Sequence, residues 1–212
     1  MHVVSIDKQA VNQMPVVAFP GRIHIINDAK QIERAVTALR DSTIVGFDTE
    51  TRPCFKRGER HHIALLQLST HSDAYLFRLN KTGVTPTLRH YLEDKRCTKV
   101  GLSITDDFHQ IAGICNCQPE GFIELQQMVK KYQIADMSLQ KIYAILFQQK
   151  ISKGQQLTNW EATQLTESQQ RYAAIDAWAC LRIYEHLLSG AFIPEQSPYF
   201  HEVIEQEKQC FF

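Results

Sequence analysis

Hydrophobic and polar positions divide the chain into a first half rich in predicted strands and a second half that is mainly helical. Alternating polarity predicts a strand at Arg22–Ile26, and an unbroken apolar run leading into two acids predicts a buried central strand at Ile44–Thr51. Ile63–Ser69 and 74–79 follow with turn residues between them, so three neighbouring strands are expected to form a meander. A further short strand is predicted at 99–103.

Apolar residues at spacings of three and four predict helices in most of the remaining segments. In chain order these are Ala29–Leu39, Pro86–Leu92, 106–114, 122–132, 138–147 and 166–188. Asp28 is a plausible N-cap of the first helix, and Thr166 with Gln169 has the form of a capping box at the start of the last. The polar stretch 150–159 predicts a loop. Strands and helices in this mixture indicate an α/β fold.

Length and composition predict one globular domain. The chain has 212 residues, 44% of them hydrophobic, which is enough for a sizeable core. We expect the domain at 21–190, after a lead segment 1–20 of uncertain order and before a tail 191–212 that forms a helix or contacts a partner. The 23 Lys and Arg residues balance the 23 Asp and Glu residues, so any site for a polyanion must be built from local patches.

Targeting signals do not stand out in the sequence. Segment 1–20 lacks the basic cluster and apolar run of a signal peptide, and no stretch approaches the roughly 18 apolar residues of a membrane span. We therefore expect a cytoplasmic protein with no membrane partner.

The six cysteines are scattered along the chain, which predicts reduced thiols and not a disulfide framework. Cys115 and Cys117 resemble half of a zinc site. No second close pair of Cys or His residues completes a tetrahedral set, so structural zinc is not expected.

Two acids come at the end of the predicted central strand. Side chains alternate between the two faces of a strand, so Gly46, Asp48 and Glu50 share one face and both carboxylates point the same way. Ligand sites in α/β sheets lie beyond the carboxyl ends of such strands. The plainer alternative is that the two acids only mark where the strand meets solvent.

A third acid lies on the buried stripe of the last predicted helix. Tyr172, Asp176, Ile183 and Leu187 follow one another at helical spacing. An unpaired carboxylate on a core-facing stripe is costly, so Asp176 should be protonated, hydrogen-bonded or bound to a cation. Tyr172 lies one turn earlier on the same face, and the plainer alternative is an ordinary Tyr–Asp hydrogen bond.

A fourth acid, Asp107, begins a helix after the strand at 99–103. Taken alone it is expected to be an N-cap. Together with Asp48, Glu50 and Asp176 it forms an all-oxygen ligand set, which suits two Mg²⁺ or Mn²⁺ ions of the kind that hydrolyse phosphodiesters.

Several stretches, in order and with matching gaps, resemble one known family. They are 45–50, 57–58 with 63–68, 99–107, 159–160 and 165–177. The sequence resembles the 3′-5′ exonucleases with an Asp-Glu-Asp-Asp-Tyr residue set, which include ribonuclease D and the exonuclease domain of the Werner syndrome protein. The resemblance implies a ribonuclease H-like fold, with a central mixed sheet flanked by helices, over most of the chain.

The resemblance also implies roles for the candidate residues. The metal ligands would be Asp48, Glu50, Asp107 and Asp176, and Tyr172 would orient the attacking water. Asp107 is preferred to Asp106 because the family places this acid directly before a hydrophobic helical residue. The sister group has a His five positions before the last Asp, where this chain has Arg171. The implied reaction is hydrolysis of the terminal phosphodiester of single-stranded or 3′-ended nucleic acid, which releases nucleoside 5′-monophosphates.

Substrate contacts are expected from a basic loop and from two lysines. Arg57 in the loop 52–62, together with Lys150 and Lys153, could bind the phosphate backbone, although such charged loops are commonly only solvated. His109 could stack on a base, as could Phe55, although packing is the plainer role of both. The main chain at Thr49 would meet the terminal nucleotide.

Three other functions compete with an exonuclease. A catalytically inactive nucleic-acid-binding relative of the same fold should lack one of the acids, and none is missing. An endonuclease of the broader ribonuclease H-like class would have no use for the Tyr-x-x-x-Asp helix. A purely structural α/β domain leaves the buried Asp176 unexplained. DNA and RNA both remain open as substrates.

Overall fold

The computed structural model describes residues 2–56 and 58–203. The strands are β1 (His2–Val4), β2 (Arg22–Ile26), β3 (Ile44–Thr51), β4 (Ile63–Ser69), β5 (Asp73–Phe77), β6 (Thr98–Gly101), β7 (Phe122–Glu124) and β8 (Phe200–Glu202). The helices are α1 (Lys8–Gln13), α2 (Ala29–Leu39), α3 (Leu79–Thr82), α4 (Pro86–Leu92), α5 (Thr105–Cys115), α6 (Leu125–Lys130), α7 (Leu139–Phe147) and α8 (Glu167–Leu188), with a 3₁₀ turn at Pro194–Gln196.

Six strands form one mixed sheet in the order β2-β5-β4-β3-β6-β7. The meander β3-β4-β5 is antiparallel, as predicted, whereas β2 runs parallel to β5, and β6 and β7 run parallel to β3. β3 therefore lies inside the sheet with a partner on each side. Helices cover both faces, which confirms the predicted α/β architecture with a central mixed sheet.

Helix α8 lies across one face of the sheet, against β3, β4, β5 and β6. The contact is closest at Gly46, where a Cβ atom would lie 1.8 Å from the carbonyl oxygen of Ala177. Any larger residue at 46 would lift the helix from the strand. Because Gly46 and Asp48 are two positions apart on β3, the same close approach brings α8 to the acids at the end of that strand.

The opposite face of β3 packs into a second apolar cluster. Val45 and Phe47 are fully buried there, against residues of α2 and α4. Asp28 caps α2 by accepting a hydrogen bond from the Gln31 amide at 2.8 Å, as predicted. The alternation along β3 thus separates an apolar face from a face that carries Gly46, Asp48 and Glu50.

The segments outside the sheet are ordered elements that the sequence pattern did not predict. β1 pairs antiparallel with β8, and α1 lies against α7. The described part of the predicted tail contains a 3₁₀ turn and a strand at Phe200–Glu202 but no α-helix. Residues 204–212 lie outside the described residues.

Two predicted boundaries also change. The helix predicted at 122–132 begins with a strand, since Phe122–Glu124 adds to the sheet edge beside β6. The strand predicted at 74–79 ends at Phe77, and Leu79 begins a short helix. For 122–132, the apolar spacing indicated only the helix that follows the strand. It could not indicate the strand, because strand pairing depends on residues far away in the sequence.

Cys115 and Cys117 form a disulfide, contrary to the expectation of reduced thiols. Asn116 between them takes the left-handed conformation that ends α5, and this turn leaves the two Cα atoms 5.3 Å apart. Cys54, Cys97 and Cys180 are free thiols.

Within residues 2–56 and 58–203, no helix has both the length and the hydropathy needed to cross a membrane.

Replacement of Gly46 should separate α8 from β3. For Gly46→Ala we expect a loss of about 3 kcal/mol or more in the free energy of unfolding, because the new methyl group meets backbone and not a movable side chain. The matched control is Gly113→Ala inside α5, where nothing lies within 4 Å of the new Cβ and a gain of about 0.5–1 kcal/mol is expected. Urea unfolding measures both, and equal midpoints for the two variants would contradict the proposed close packing.

Candidate active site

Three carboxylates from two elements meet at the end of β3. Asp48 and Glu50 come from the strand and Asp176 from α8, and one oxygen of each lies within 4.8 Å of the others. Asp176 is only 5% exposed, whereas Asp48 and Glu50 are partly open to a cavity of about 560 Å³. The acids at the end of β3 thus face a third carboxylate across a cavity and do not simply mark the end of a strand.

The start of α8 is fixed by a network of polar contacts. Thr166 and Gln169 form the predicted capping box, and the Gln169 side chain also donates to the Thr158 hydroxyl at 2.9 Å and to the Asn159 carbonyl at 3.2 Å. This ties the preceding loop to the helix. Trp160 in that loop is fully buried and lies 6.1 Å, centroid to centroid, from the Tyr172 ring. The rotation of α8, and with it the direction of Tyr172, is therefore set by packing.

Asp107 lies on the third residue of α5 and contacts the cluster through Thr49. The Thr49 hydroxyl donates to Asp107 Oδ1 at 2.5 Å. Asp107 is not one of the three acids whose oxygens lie within 4.8 Å, but its charge acts on both Asp48 and Glu50. It does not cap the helix, because α5 begins after Ile104.

A glutamate at the sheet edge holds the first turn of α5 in place. Both oxygens of Glu124 accept backbone amides, those of Ser103 at 3.0 Å and Ile104 at 2.8 Å. Ser103 is left-handed (φ 61°), a conformation that a non-glycine residue adopts only when its surroundings hold it. Glu124 therefore positions the turn that presents Asp107.

Burial raises the pKa values of all four acids, and repulsion from other acids of the set raises those of Asp48 and Glu50 further. Burial raises the pKa of Glu50 to about 10, and the charges of Asp48 and Asp176 add to this. Burial also raises the pKa of Asp176 to about 7 and that of Asp107 to about 6. Burial, followed by the charge of Asp176, raises the pKa of Asp48 well above its ordinary value. In the absence of a cation the four acids cannot all be ionised cheaply.

The donor set fits a divalent cation with a preference for oxygen. Each acid of the cluster supplies a carboxylate oxygen, and a positive charge among them would favour the ionised forms that repulsion disfavours. Hard ions such as Mg²⁺ and Mn²⁺ take such ligands.

Tyr172 lies one turn before Asp176 and is 9% exposed. Burial, with the charges of Asp176 and Glu50, raises the pKa of its phenol above the ordinary value. The hydroxyl therefore stays protonated at neutral pH and can donate a hydrogen bond into the cavity. It is unsuited to act as a base.

Only some of the predicted substrate-binding residues lie at the acidic cavity. Thr49 and Lys153 line the acidic cavity. His109 is exposed on α5 and does not line the cavity, and Arg57 lies outside the described residues. The described part of the basic loop does not reach the acids either. Arg52 pairs with Glu161 at 3.2 Å, and the end of the loop lines a separate cavity.

Several cavity residues carry no signal in the sequence. Among them are Leu102, Ser103, Met137, Ser138, Gln140 and Gln156. Gln67, which lies beside the acids on β4, could have been recognised from the sequence as unusual, because it is a polar residue within an apolar strand. It pairs in register with Asp48, and its fully buried amide has no hydrogen-bond partner among the residues the structure describes.

The mixed sheet and its flanking helices form a ribonuclease H-like fold. The chain belongs to the 3′-5′ exonuclease family, whose sequence profile matches residues 23–190. The family that the sequence motifs indicated is thereby confirmed.

Individual relatives agree with this assignment. The chain is 32% identical over 186 residues to the bifunctional 3′-5′ exonuclease/ATP-dependent helicase WRN of Mus musculus, an alignment that covers 83% of this chain and 13% of the mouse protein. The exonuclease domain of Aedes aegypti Nibbler superposes with a TM-score of 0.74 at 19% identity, over 84% of this chain and 95% of that one. Trypanosoma brucei RNase D in complex with RNA U12 superposes with a TM-score of 0.69 at 17% identity, over 83% and 65%. Five curated relatives are covered over 13–66% of their own lengths.

The raised pKa values predict how stability depends on pH. Because the folded protein holds protons that the unfolded chain releases above about pH 4, the metal-free protein should lose stability as pH rises from about 4 to about 7 through Asp107 and Asp176, and up to about 10 through Glu50. In Asp176→Asn this loss should be smaller by a few degrees in Tm, since about 1 kcal/mol shifts Tm by roughly 2–4 °C at this size.

Thermal melting in EDTA at several pH values measures the effect. Asp41→Asn, a change at an exposed turn, is the control and should follow the native protein. Mn²⁺ should raise the Tm of the native protein and flatten its dependence on pH. If Tm falls equally with pH in the native protein and in Asp176→Asn, the pH dependence does not come from this cluster.

Proposed function

We propose that this chain is a 3′-5′ exonuclease that uses two divalent ions, Mg²⁺ or Mn²⁺, to hydrolyse the terminal phosphodiester of nucleic acid and release nucleoside 5′-monophosphates. The observation that carries the proposal is the convergence of Asp48, Glu50 and Asp176 in one cavity, with Tyr172 beside them. Membership of the family supports it. No acid of the expected set is replaced, so the inactive nucleic-acid-binding alternative is not favoured.

The four acids would hold the ions. A bound divalent ion supplies Lewis acidity, which lowers the pKa of water and stabilises a leaving oxygen. Asp48, Glu50 and Asp176 offer the three closest oxygens, and Asp107 adds a fourth carboxylate that Thr49 orients. Because the acids come from a strand and two helices, their spacing depends on the packing of the whole fold and not on one loop.

Tyr172 would orient the nucleophile. Its hydroxyl is protonated and lies beside Asp176, so it can donate to a water molecule or to a phosphate oxygen in the cavity. The packing of its ring against Trp160 limits the directions that the hydroxyl can take. A fixed donor of this kind lowers the barrier because it needs no reorganisation during the reaction.

The substrate class follows from the chemistry of the cavity and from the relatives. A 3′-terminal nucleotide, in a single strand or at a strand end, brings its phosphodiester to the acids without a duplex having to enter. The trypanosome relative was crystallised with RNA U12, and the name of the mouse relative includes a helicase. Single-stranded RNA and DNA are therefore both substrates to test.

Loss of one acid should abolish turnover. For Asp176→Asn we expect at least about a 10³-fold fall in the rate on 5′-labelled oligonucleotides with Mn²⁺ or Mg²⁺, because the ligand set loses its most buried charge. Asp106→Asn, the exposed neighbour of Asp107, is the matched control and should stay within about threefold of the native rate.

The products identify the type of reaction. The native protein should shorten 5′-labelled DNA or RNA one nucleotide at a time, release mononucleotides from a 3′ label, and leave a circular single strand intact. Cleavage of the circle would indicate an endonuclease. Binding without any cleavage in Mn²⁺ or Mg²⁺ would indicate the inactive relative.

Removal of the phenolic hydroxyl should slow the chemical step. For Tyr172→Phe we expect kcat to fall by about 10²-fold with KM little changed, which is typical of a group that acts mainly in the transition state. Tyr184→Phe, on the same helix but outside the cavity lining, is the control. Equal kcat values for Tyr172→Phe and Tyr184→Phe would show that the Tyr172 hydroxyl does not take part in the chemical step.

A further inference from the structure

A second groove continues from the acidic cavity toward the N-terminal segment. It encloses about 330 Å³ and shares Ser138, Gln140 and Lys153 with the acidic cavity. Its remaining lining includes Lys8, Asn12 and Val16 from α1 and the following turn, Lys141 from α7, and Lys150 from the loop after α7. The two cavities therefore adjoin one another at the three residues that they share.

The groove differs from the acidic cavity in the sign of its charge. Four lysines line it, namely Lys8, Lys141, Lys150 and Lys153, and none of its lining residues is acidic. Lys141 pairs with the buried Asp136 at 2.6 Å. Within residues 2–56 and 58–203, no carboxylate pairs with the other three. Asp7, next to Lys8 in sequence, caps α1 by accepting from the Ala10 amide at 2.7 Å.

The N-terminal segment is fixed as one wall of the groove. Its backbone pairs with the loop after α7, where Val17 donates to the Lys150 carbonyl at 3.0 Å and Lys150 donates to the Pro15 carbonyl at 2.9 Å. The Lys150 ammonium also donates to the Asn12 carbonyl at 2.6 Å, a contact that positions the charge without neutralising it. The Ile6 amide donates to Asp136 at 2.9 Å. Lys8 is thereby held on a rigid wall.

We propose that this lysine groove binds the phosphates of the nucleotides that lie 5′ of the terminal one, so that the strand runs from the acids along α1. The proposal rests on the function proposed above. A strand whose 3′ end lies among the acids must leave the cavity, and the groove provides an adjoining surface of the sign that phosphates require. The protein has no net charge, so such a local patch is needed to hold a polyanion.

The N-terminal wall lies before the part of the chain that the family profile matches. The family profile begins at residue 23, whereas Lys8, Asn12 and Val16 lie before it. The proposed substrate path thus includes a segment that lies outside the matched region. Strands that are long enough to enter the groove should bind more tightly than strands that fill only the acidic cavity.

The double variant Lys8→Gln with Lys153→Gln tests the groove. Both side chains are exposed and neither has a carboxylate partner among the described residues, so folding should be preserved, and thermal melting checks this. Lys30→Gln with Lys95→Gln removes the same charge from exposed lysines outside the groove and is the matched control. All proteins carry Asp176→Asn so that the probes remain intact.

The probes are 5′-fluorescein-labelled oligo(dT) and oligo(U) of four and twelve nucleotides, and fluorescence anisotropy gives Kd from about 50 to about 300 mM NaCl. For the twelve-nucleotide probes we expect the groove variant to bind at least about fivefold more weakly at the lowest salt. The slope of log Kd against log salt should be smaller by about 1.4, since each phosphate that a lysine no longer neutralises lowers it by roughly 0.7. The ratio of the Kd for four nucleotides to the Kd for twelve nucleotides should be smaller in the groove variant than in the control.

A groove variant that binds twelve nucleotides with the Kd and slope of the control pair would overturn the groove proposal. Failure of the proposed function would be detected by a different measurement, the cleavage of the probes. If the protein without Asp176→Asn binds the long probes through these lysines but never cleaves them in Mn²⁺ or Mg²⁺, the groove is supported and the exonuclease is not. If it cleaves them while the lysine changes leave binding unaltered, only the groove is rejected.

Discussion

The close approach of α8 to β3 at Gly46 is the contact on which the rest of the structure depends. No side chain separates the strand from the backbone of Ala177, so the helix lies near enough for Asp176 to join Asp48 and Glu50. The capping box at Thr166 determines where the helix begins, and the ring contact with Trp160 determines how it is rotated. The position of α8 over the sheet, and with it the cavity, thus depends on this close packing.

The same contact places negative charges where they repel. Burial and neighbouring acids raise the pKa values of the carboxylates, and part of the folding free energy is spent holding them together in the absence of a cation. Apolar packing against α8 and on the opposite face of the sheet offsets this cost. A bound cation removes the repulsion that the fold enforces in the empty site, and this relief contributes to the free energy of binding. The strain at Ser103, beside the turn that presents Asp107, is a second local cost at the same cavity.

Much of the fold could be predicted from local sequence signals, and the remainder depends on long-range pairing. The bounds of Ala29–Leu39 and Pro86–Leu92 are confirmed because a cap and a proline mark them. The strand Phe122–Glu124 exists only because an edge of the sheet is free beside it, and its own residues carry no alternating pattern. β1 and β8 pair across almost the whole chain, a distance over which periodicity conveys nothing.

The acids could be found from sequence because their chemistry made them conspicuous, whereas only Lys150 and Lys153 of the four groove lysines were candidates, and nothing in the sequence joined Lys8 to them. A carboxylate on a buried helical stripe conflicts with its surroundings, so Asp176 can be recognised without a structure. An exposed lysine is in its ordinary surroundings, so its position in the sequence does not distinguish it from other surface lysines. Lys8 and Lys153 are 145 positions apart and become neighbours only when backbone hydrogen bonds join the N-terminal segment to the loop after α7. A chain without net charge can therefore separate its charges in space, with acids that suit cations at one end of a path and ammonium groups that suit phosphates at the other.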